Sequence, residues 1–367
     1  MTVGKNEKKL NILVVYAGKF GFHVVSYFLS KYASKKHNVT YLGLTLDQTG
    51  ESLSYPGVNV KEHTCQPGLK GRKAMLSLLR DEVSNSDYDV VFTQYLAGIS
   101  WLKHQLPNQK IIVDIRSGYL LASPLKRYLL NTLLCKESKY LTPNVTINSK
   151  ILGHFLGFKD TELTELPLGA EPVDTHDRSF EKLKLIYVGT LSKRNIHLSI
   201  EGLNKHISET PEHVVESYDI IGSGSPDDEQ LIRDAIDKYG LQSIITMHGY
   251  VPREKTGALL EKANVGVSFV PITPYYDLQP VTKTFEFLLA GLPLIATATT
   301  QNQQLISEDN GVLIQDTGLS FCEGLKKVSD LRKSYNSKKI QEQSLKHSWE
   351  RVITEQYLPY IEKVSSV

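Results

Sequence analysis

Cysteine is scarce in this chain: Cys65, Cys135 and Cys322 are the only three, far apart and odd in number. They supply neither a disulfide framework nor a metal knuckle, a usage expected of a reducing compartment. Nowhere do ~18 apolar residues run uninterrupted, so nothing reads as a membrane-spanning helix. The opening MTVGKNEKKLNILVVY has a basic run, but its apolar stretch is too short for a secretory signal and no small-residue cleavage site follows. Short-period repeats and low-complexity tracts are missing too. With 41% hydrophobic and 22% charged residues, disordered and fibrous classes are excluded. The Asn-x-Thr triplets at Asn38 and Asn144 read as chance matches in a cytosolic chain.

What is present is length for about two domains and an uneven charge. The net charge is only +2, yet residues 1–150 hold 20 Lys+Arg against 10 Asp+Glu, and the remainder 22 against 30. The two halves therefore face different partners. NILVVY (11–16), VTYLGL (39–44), DVVFT (89–93), KIIVDI (110–115) and VTI (145–147) are short buried-type runs separated by helical stretches near 22–32, 73–84 and 96–105. Such alternation predicts a parallel, doubly wound sheet. The segment from Leu168 to Phe180 reads as a linker, and the pattern then restarts with KLIYVG (184–189), YDIIG (218–222), IITMHG (244–249), VGVSFV (265–270), LPLIAT (292–297) and GVLI (311–314). Helices are expected at 226–239 and 282–290, and SWERVITEQYLPYIEK closes the chain as an amphipathic helix. Two α/β units joined by a linker predict a cleft where ligands bind.

Three segments have chemical potential, each with a plainer reading beside it. Ala17-Gly18-Lys19-Phe20-Gly21 is a glycine turn after the first strand that either admits a phosphate or serves packing alone. It lacks a full G-x-G-x-x-G and any Walker lysine. VGTLSKRN (188–195) sets Gly189 and the pair Lys193-Arg194 beyond a strand end, the ligand-facing edge of an open α/β sheet, or else opens a helix with a solvated charge pair. Gly222-Ser223-Gly224 follows the next strand, and Asp227-Asp228 reads as helix capping. The strongest is QPVTKTFEFLLAGLP (279–293), where Pro280 ends a loop and a helix begins with free N–H groups. Lys283 and Glu286 lie on nearly one face there, as ligand groups or as a surface ion pair worth ~0.5 kcal/mol.

That last stretch resembles the donor-site signature of family 4 glycosyltransferases, retaining enzymes of the GT-B fold. The variant it is most similar to reads Ser-x-Pro-x-Lys-x-x-Glu-Tyr-x-Ala-x-Gly-x-Pro. PLGAEPVD (167–174), YVGTLSKR, DIIGSGS, MHGYVPREK, ALLEKANVGVSFVP, ISEDNGVLI and HSWERV follow in the family's order, so the resemblance covers nearly all of 165–355. VDIRS (113–117) and VTINS (145–149) are similar to acceptor-domain segments. The resemblance implies an α/β GT-B fold, with an acceptor-binding Rossmann-like domain over 1–170, a donor-binding one over 171–347, and the helix of about 348–367 packing back on the first. It implies transfer of a sugar from a UDP- or GDP-sugar to a glycan or polyprenyl-linked acceptor in bacterial cell-surface polysaccharide synthesis, with no cofactor, no divalent metal and no nucleic acid. Lys193, Arg194 and Lys283 would neutralise the leaving diphosphate. Gly18, Gly21, Gly189, Thr190, Gly224, Gly249, Tyr250, Val251, Pro280, Val281, Thr282 and Glu286 would hold the donor, the last through the ribose hydroxyls. Arg116 and His23 fall on the acceptor side. Two positions depart from the pattern: Leu278, with Asp277 beside it, stands where a second Glu often contacts the hexose, and Thr190 stands where Arg often follows the loop glycine. A GT-B sugar-nucleotide epimerase, an inverting transferase and an inactive partner subunit remain alternative readings.

The basic first half concentrates its charge in Lys70–Arg80 and in a helix starting at Ser123-Pro124. At 100° per residue, Leu125, Tyr128, Leu129 and Leu133 form the expected core stripe, leaving Leu130 and Leu134 outside it beside Arg127. Either the helix is buried all round in a cytoplasmic protein, or Leu130 and Leu134 dip into an anionic membrane at the inner face of the cell membrane.

Overall fold

The computed structural model describes residues 8–46, 51–119, 121, 123–274 and 276–366. Met1–Glu7 of the basic opening and Tyr275 of the loop before Pro280 lie outside the described residues. The chain divides into two compact units, Met1–Leu168 with Trp349–Val367, and Gly169–Ser348.

In the first unit β1 (Asn11–Tyr16), β2 (Asn38–Thr45), β3 (Val58–Thr64), β4 (Val90–Gln94), β5 (Ile111–Ile115), β6 (Val145–Ile147) and β7 (Thr164–Glu165) pair in the order β3-β2-β1-β4-β5-β6-β7. Every pair is parallel, with Val14 opposite Tyr41 and Ile12 opposite Val90. The continuous apolar runs of β1 and β5 follow from burial on both faces. Trp349, Tyr357 and Ile361 of the closing helical segment are fully buried in this unit's core, and Trp349 stacks on Phe28 at 5.4 Å.

Two features differ from the sequence reading. β3 lies on the sheet's edge, and its half-exposed VNVKEHT has no buried run to mark it. The helix Pro124–Lys139 is turned the opposite way from the expected stripe: Leu134, Cys135 and Ser138 are buried, whereas Leu125, Tyr128, Leu129 and Leu133 are exposed. Polar anchors decide its orientation. Asn131 Oδ1 accepts from the Tyr119 amide at 2.6 Å, and Glu137 accepts from the Gly98 amide at 2.9 Å and the Tyr95 hydroxyl at 2.7 Å. Leu130 and Leu134 therefore do not form an outward apolar face; Leu134 is 2% exposed.

In the second unit β8 (Leu183–Val188), β9 (Val215–Ile221), β10 (Ile245–Gly249), β11 (Val265–Ser268), β12 (Leu294–Thr297) and β13 (Gly311–Ile314) pair in parallel in the order β10-β9-β8-β11-β12-β13. This is the order of a dinucleotide-binding sheet, and its direction reverses between β8 and β11. Helices Pro226–Tyr239 and Thr282–Leu289 occupy two of its crossovers. Ser225 caps the first, with Asp227 and Asp228 in its opening turn, where carboxylates suit the helix dipole. All three cysteines are buried and unbridged.

Candidate functional site

Ligands of doubly wound sheets bind beyond the carboxyl ends of the strands at the reversal point. In the second unit that edge is built by the loops after β8, β9, β10 and β11. The first three are stitched together by their own backbone. The Gly189 amide donates to Ile221 O at 3.0 Å, the Leu191 amide to Ser223 O at 2.9 Å, and the Gly222 amide to Gly249 O at 2.8 Å. Only glycine fits at 222: its φ is +143°, and a Cβ there would lie 1.8 Å from Gly189 O. The Thr190 hydroxyl donates to Ser223 O, and the Gly224 amide to the Glu229 carboxylate. Lys193 and Asn195 both have left-handed backbones, at φ 56° and 54°, a cost that a non-glycine residue bears rarely and that clusters at working sites.

The loop after β11 leads into the helix Thr282–Leu289 through Pro280 and Val281, both half-buried. It is pinned at both ends. The Ile272 amide donates to Asp316, while Thr300 donates to Asp277 through its amide at 2.8 Å and its hydroxyl at 2.9 Å. Asp277 thus anchors the loop to Thr300. No side chain caps the first turn of the helix, whose opening residue is Thr282.

Lys283 is not a surface ion-pair partner. It is 9% exposed, and its Nζ has no hydrogen-bond partner among the described residues. The ammonium stands 3.6 Å from the centre of the Tyr187 ring, and a Cβ on Gly189 would lie 3.3 Å from Nζ. Burial pushes its pKa well below the ordinary lysine value, the Arg194 charge lowers it further, and Glu286 opposes both. Tyr187 is itself buried and donates its hydroxyl to Thr190 O at 2.7 Å. Arg194 lies over the Tyr276 ring at 4.1 Å, and Lys193 is exposed on the same turn. A pocket of about 330 Å³ in the same unit is lined by Glu171, Val173, Val188, Tyr250, Val251 and Glu286, among others. Tyr250, Val251 and Glu286, named from distant stretches of sequence, are brought together here. Tyr187 and Tyr276 were not named from the sequence. Tyr187 reads there as one more strand residue, and only its position under Lys283 marks it out.

Four expected site residues belong to the first unit. Gly18 and Gly21 form the turn after β1, where Tyr41 Oη donates to Gly18 O and the Phe20 amide donates to the Glu62 carboxylate at 2.7 Å. That amide is engaged by an internal carboxylate. His23 caps the helix Val24–Ala33, accepting from the Ser26 amide through Nδ1 and stacking on Tyr16 at 4.1 Å. Burial, with a contribution from the Arg116 charge, lowers its pKa to about 3, so it is neutral. Arg116 is buried and tied inward. It donates to Asp114 Oδ1 at 2.7 Å, to Leu166 O at 2.9 Å and to the Tyr357 hydroxyl. These bonds join β5 to the closing helical segment.

Residues 182–330 match the family model described as glycosyl transferases group 1. No curated protein matches the chain in sequence. The fold is similar to that of HepE from Anabaena, solved with UDP and glucose (14% identity, TM-score 0.72, covering 98% of this chain and 100% of that one). It is equally similar to sucrose-phosphate synthase from Thermosynechococcus elongatus (15%, TM-score 0.71, 98% and 100%). The lipopolysaccharide outer core galactosyltransferase WaaB, in its apo form, is also alike (12%, TM-score 0.66, 96% and 100%). Two wholly parallel Rossmann-like sheets of seven and six strands, flanked by helices, define the GT-B class. The family match supports a transferase, and the neighbours show the fold.

Proposed function

We propose that the chain is a retaining family 4 glycosyltransferase that moves a hexose from a UDP- or GDP-sugar to a glycan or polyprenyl-linked acceptor in polysaccharide synthesis in the cytoplasm. The observation that carries this reading is the buried Nζ of Lys283 beside Gly189, without a hydrogen-bond partner among the described residues, at the opening of the helix Thr282–Leu289. A buried amine in that state favours an anion that would hold it charged. As the glycosidic bond breaks, charge gathers on the diphosphate. Lys283, Arg194, Lys193 and the first-turn amides are the groups placed to stabilise it. Glu286 accepts hydrogen bonds from the ribose hydroxyls, and the pocket with Tyr250 and Val251 takes the base. The UDP and glucose in the HepE structure support a UDP-sugar as the first donor to try. The reaction needs no divalent metal, because protein cations take that role.

Turnover of a nucleotide-sugar panel tests this. Hexose transfer to a glycan acceptor should persist in EDTA, and Lys283→Ala should lower it ~100-fold or more with an unchanged melting temperature. Loss of activity in EDTA with rescue by Mn²⁺ or Mg²⁺ would refute the metal-free mechanism.

A further inference from the structure

We infer that the helix Pro124–Lys139 docks its exposed face on an anionic bilayer surface. Leu125 and Tyr128 are each 68% exposed, Leu129 56% and Leu133 43%, an apolar row on the outward side of one helix. Lys126, Arg127 and Lys136 are exposed on the same helix. Lys139 is paired with Glu162 and is not counted among them. The helix has a single carboxylate, Glu137, and it is spent inward on the Tyr95 hydroxyl, the Gly98 amide and the Ser100 hydroxyl. The outward face is therefore apolar and purely basic, the combination that inserts at a headgroup boundary and attracts anionic lipid. A second copy of this chain would bring the same cations against these and be repelled, so the charge favours a bilayer over self-association.

The helix also connects that face to a pocket. Through Glu137 and Asn131 it holds Tyr95 and Tyr119, which with Arg72, Gln66 and Met75 help line a pocket of about 210 Å³. Docking would hold this pocket at the membrane surface, within reach of a lipid-linked acceptor. That consequence rests on the transferase reading; the docking itself does not.

Vesicle flotation of the full chain tests the inference without any turnover. Wild type should float with phosphatidylglycerol vesicles, lose most of that binding in high salt, and stay behind with phosphatidylcholine alone. Lys126→Glu/Lys136→Glu and, separately, Leu125→Asn/Leu129→Asn should each weaken vesicle partitioning at least ~10-fold. Melting temperature and UDP affinity should not move in either variant, and Lys327→Glu in the second unit should float as wild type. The inference is overturned if wild type fails to float, if the helix variants float unchanged, or if the face proves to be covered by a second copy in a stable dimer. UDP affinity, read on the same samples, reports on the transferase reading separately.

Discussion

Lys283 has its Nζ held against an aromatic ring, with no hydrogen-bond partner among the described residues. Burial disfavours its charged form, so the folded protein binds this proton less tightly than the unfolded chain does. A diphosphate brought to Nζ reverses the balance by supplying opposite charge. Nucleotide binding should therefore take up protons at pH values between the depressed pKa and the ordinary lysine value. Affinity should fall as pH rises through the depressed pKa. Calorimetry from about pH 7.5 to 8.5, in buffers of differing ionisation heat, reads the uptake between the titration of the nucleotide's phosphate and that of its base. Lys283→Met should abolish the uptake. Proton-neutral binding across that range would mean that Lys283 stays charged in the free protein or never meets the anion.

At the scale of elements, this edge of the second sheet depends on loops tied to one another by backbone hydrogen bonds. Gly222 carries the closest approach, its position facing Gly189 O across the β8 and β9 loops. Gly222→Ala combines a forbidden φ with a backbone clash, each costing ~1–3 kcal/mol. A loss of ~2 kcal/mol or more in denaturant unfolding is expected, together with weakened nucleotide binding. A wild-type midpoint would show that the loops are less tightly joined than described. Most of these elements could be read from sequence, because buried parallel strands are written as unbroken apolar runs between helices. β3 could not: an edge strand carrying Lys61, Glu62 and His63 looks like a loop. The helix Pro124–Lys139 could be placed but not oriented. Its richest apolar stripe faces outward, since Asn131 and Glu137 bind backbone amides on the other side and hydrophobicity is outvoted. Glu286, Tyr250 and Val251 were visible as motif residues. The partnerless state of Lys283 was not, because burial is a property of the packed chain.

For the whole molecule, two sheets with the same strand logic arise from a sequence whose pattern begins twice, and Trp349–Val367 belongs to the first unit although it follows the second in sequence. The family match falls within the second unit, over residues 182–330. The Lys283 ammonium and the pocket of Glu286 and Tyr250 lie in that unit as well. We expect this edge of the second unit to bind a nucleoside diphosphate, with Glu286 on its ribose. Titration of UDP and GDP into the full chain by calorimetry, repeated with Glu286→Ala, tests it most directly. Losing a charge-assisted pair of hydrogen bonds costs ~1.5–3 kcal/mol per bond. At least one of the two nucleotides should bind wild type, and Glu286→Ala should weaken it ~10-fold or more at an unchanged melting temperature. Binding of neither nucleotide, or equal affinity in wild type and Glu286→Ala, would contradict the account.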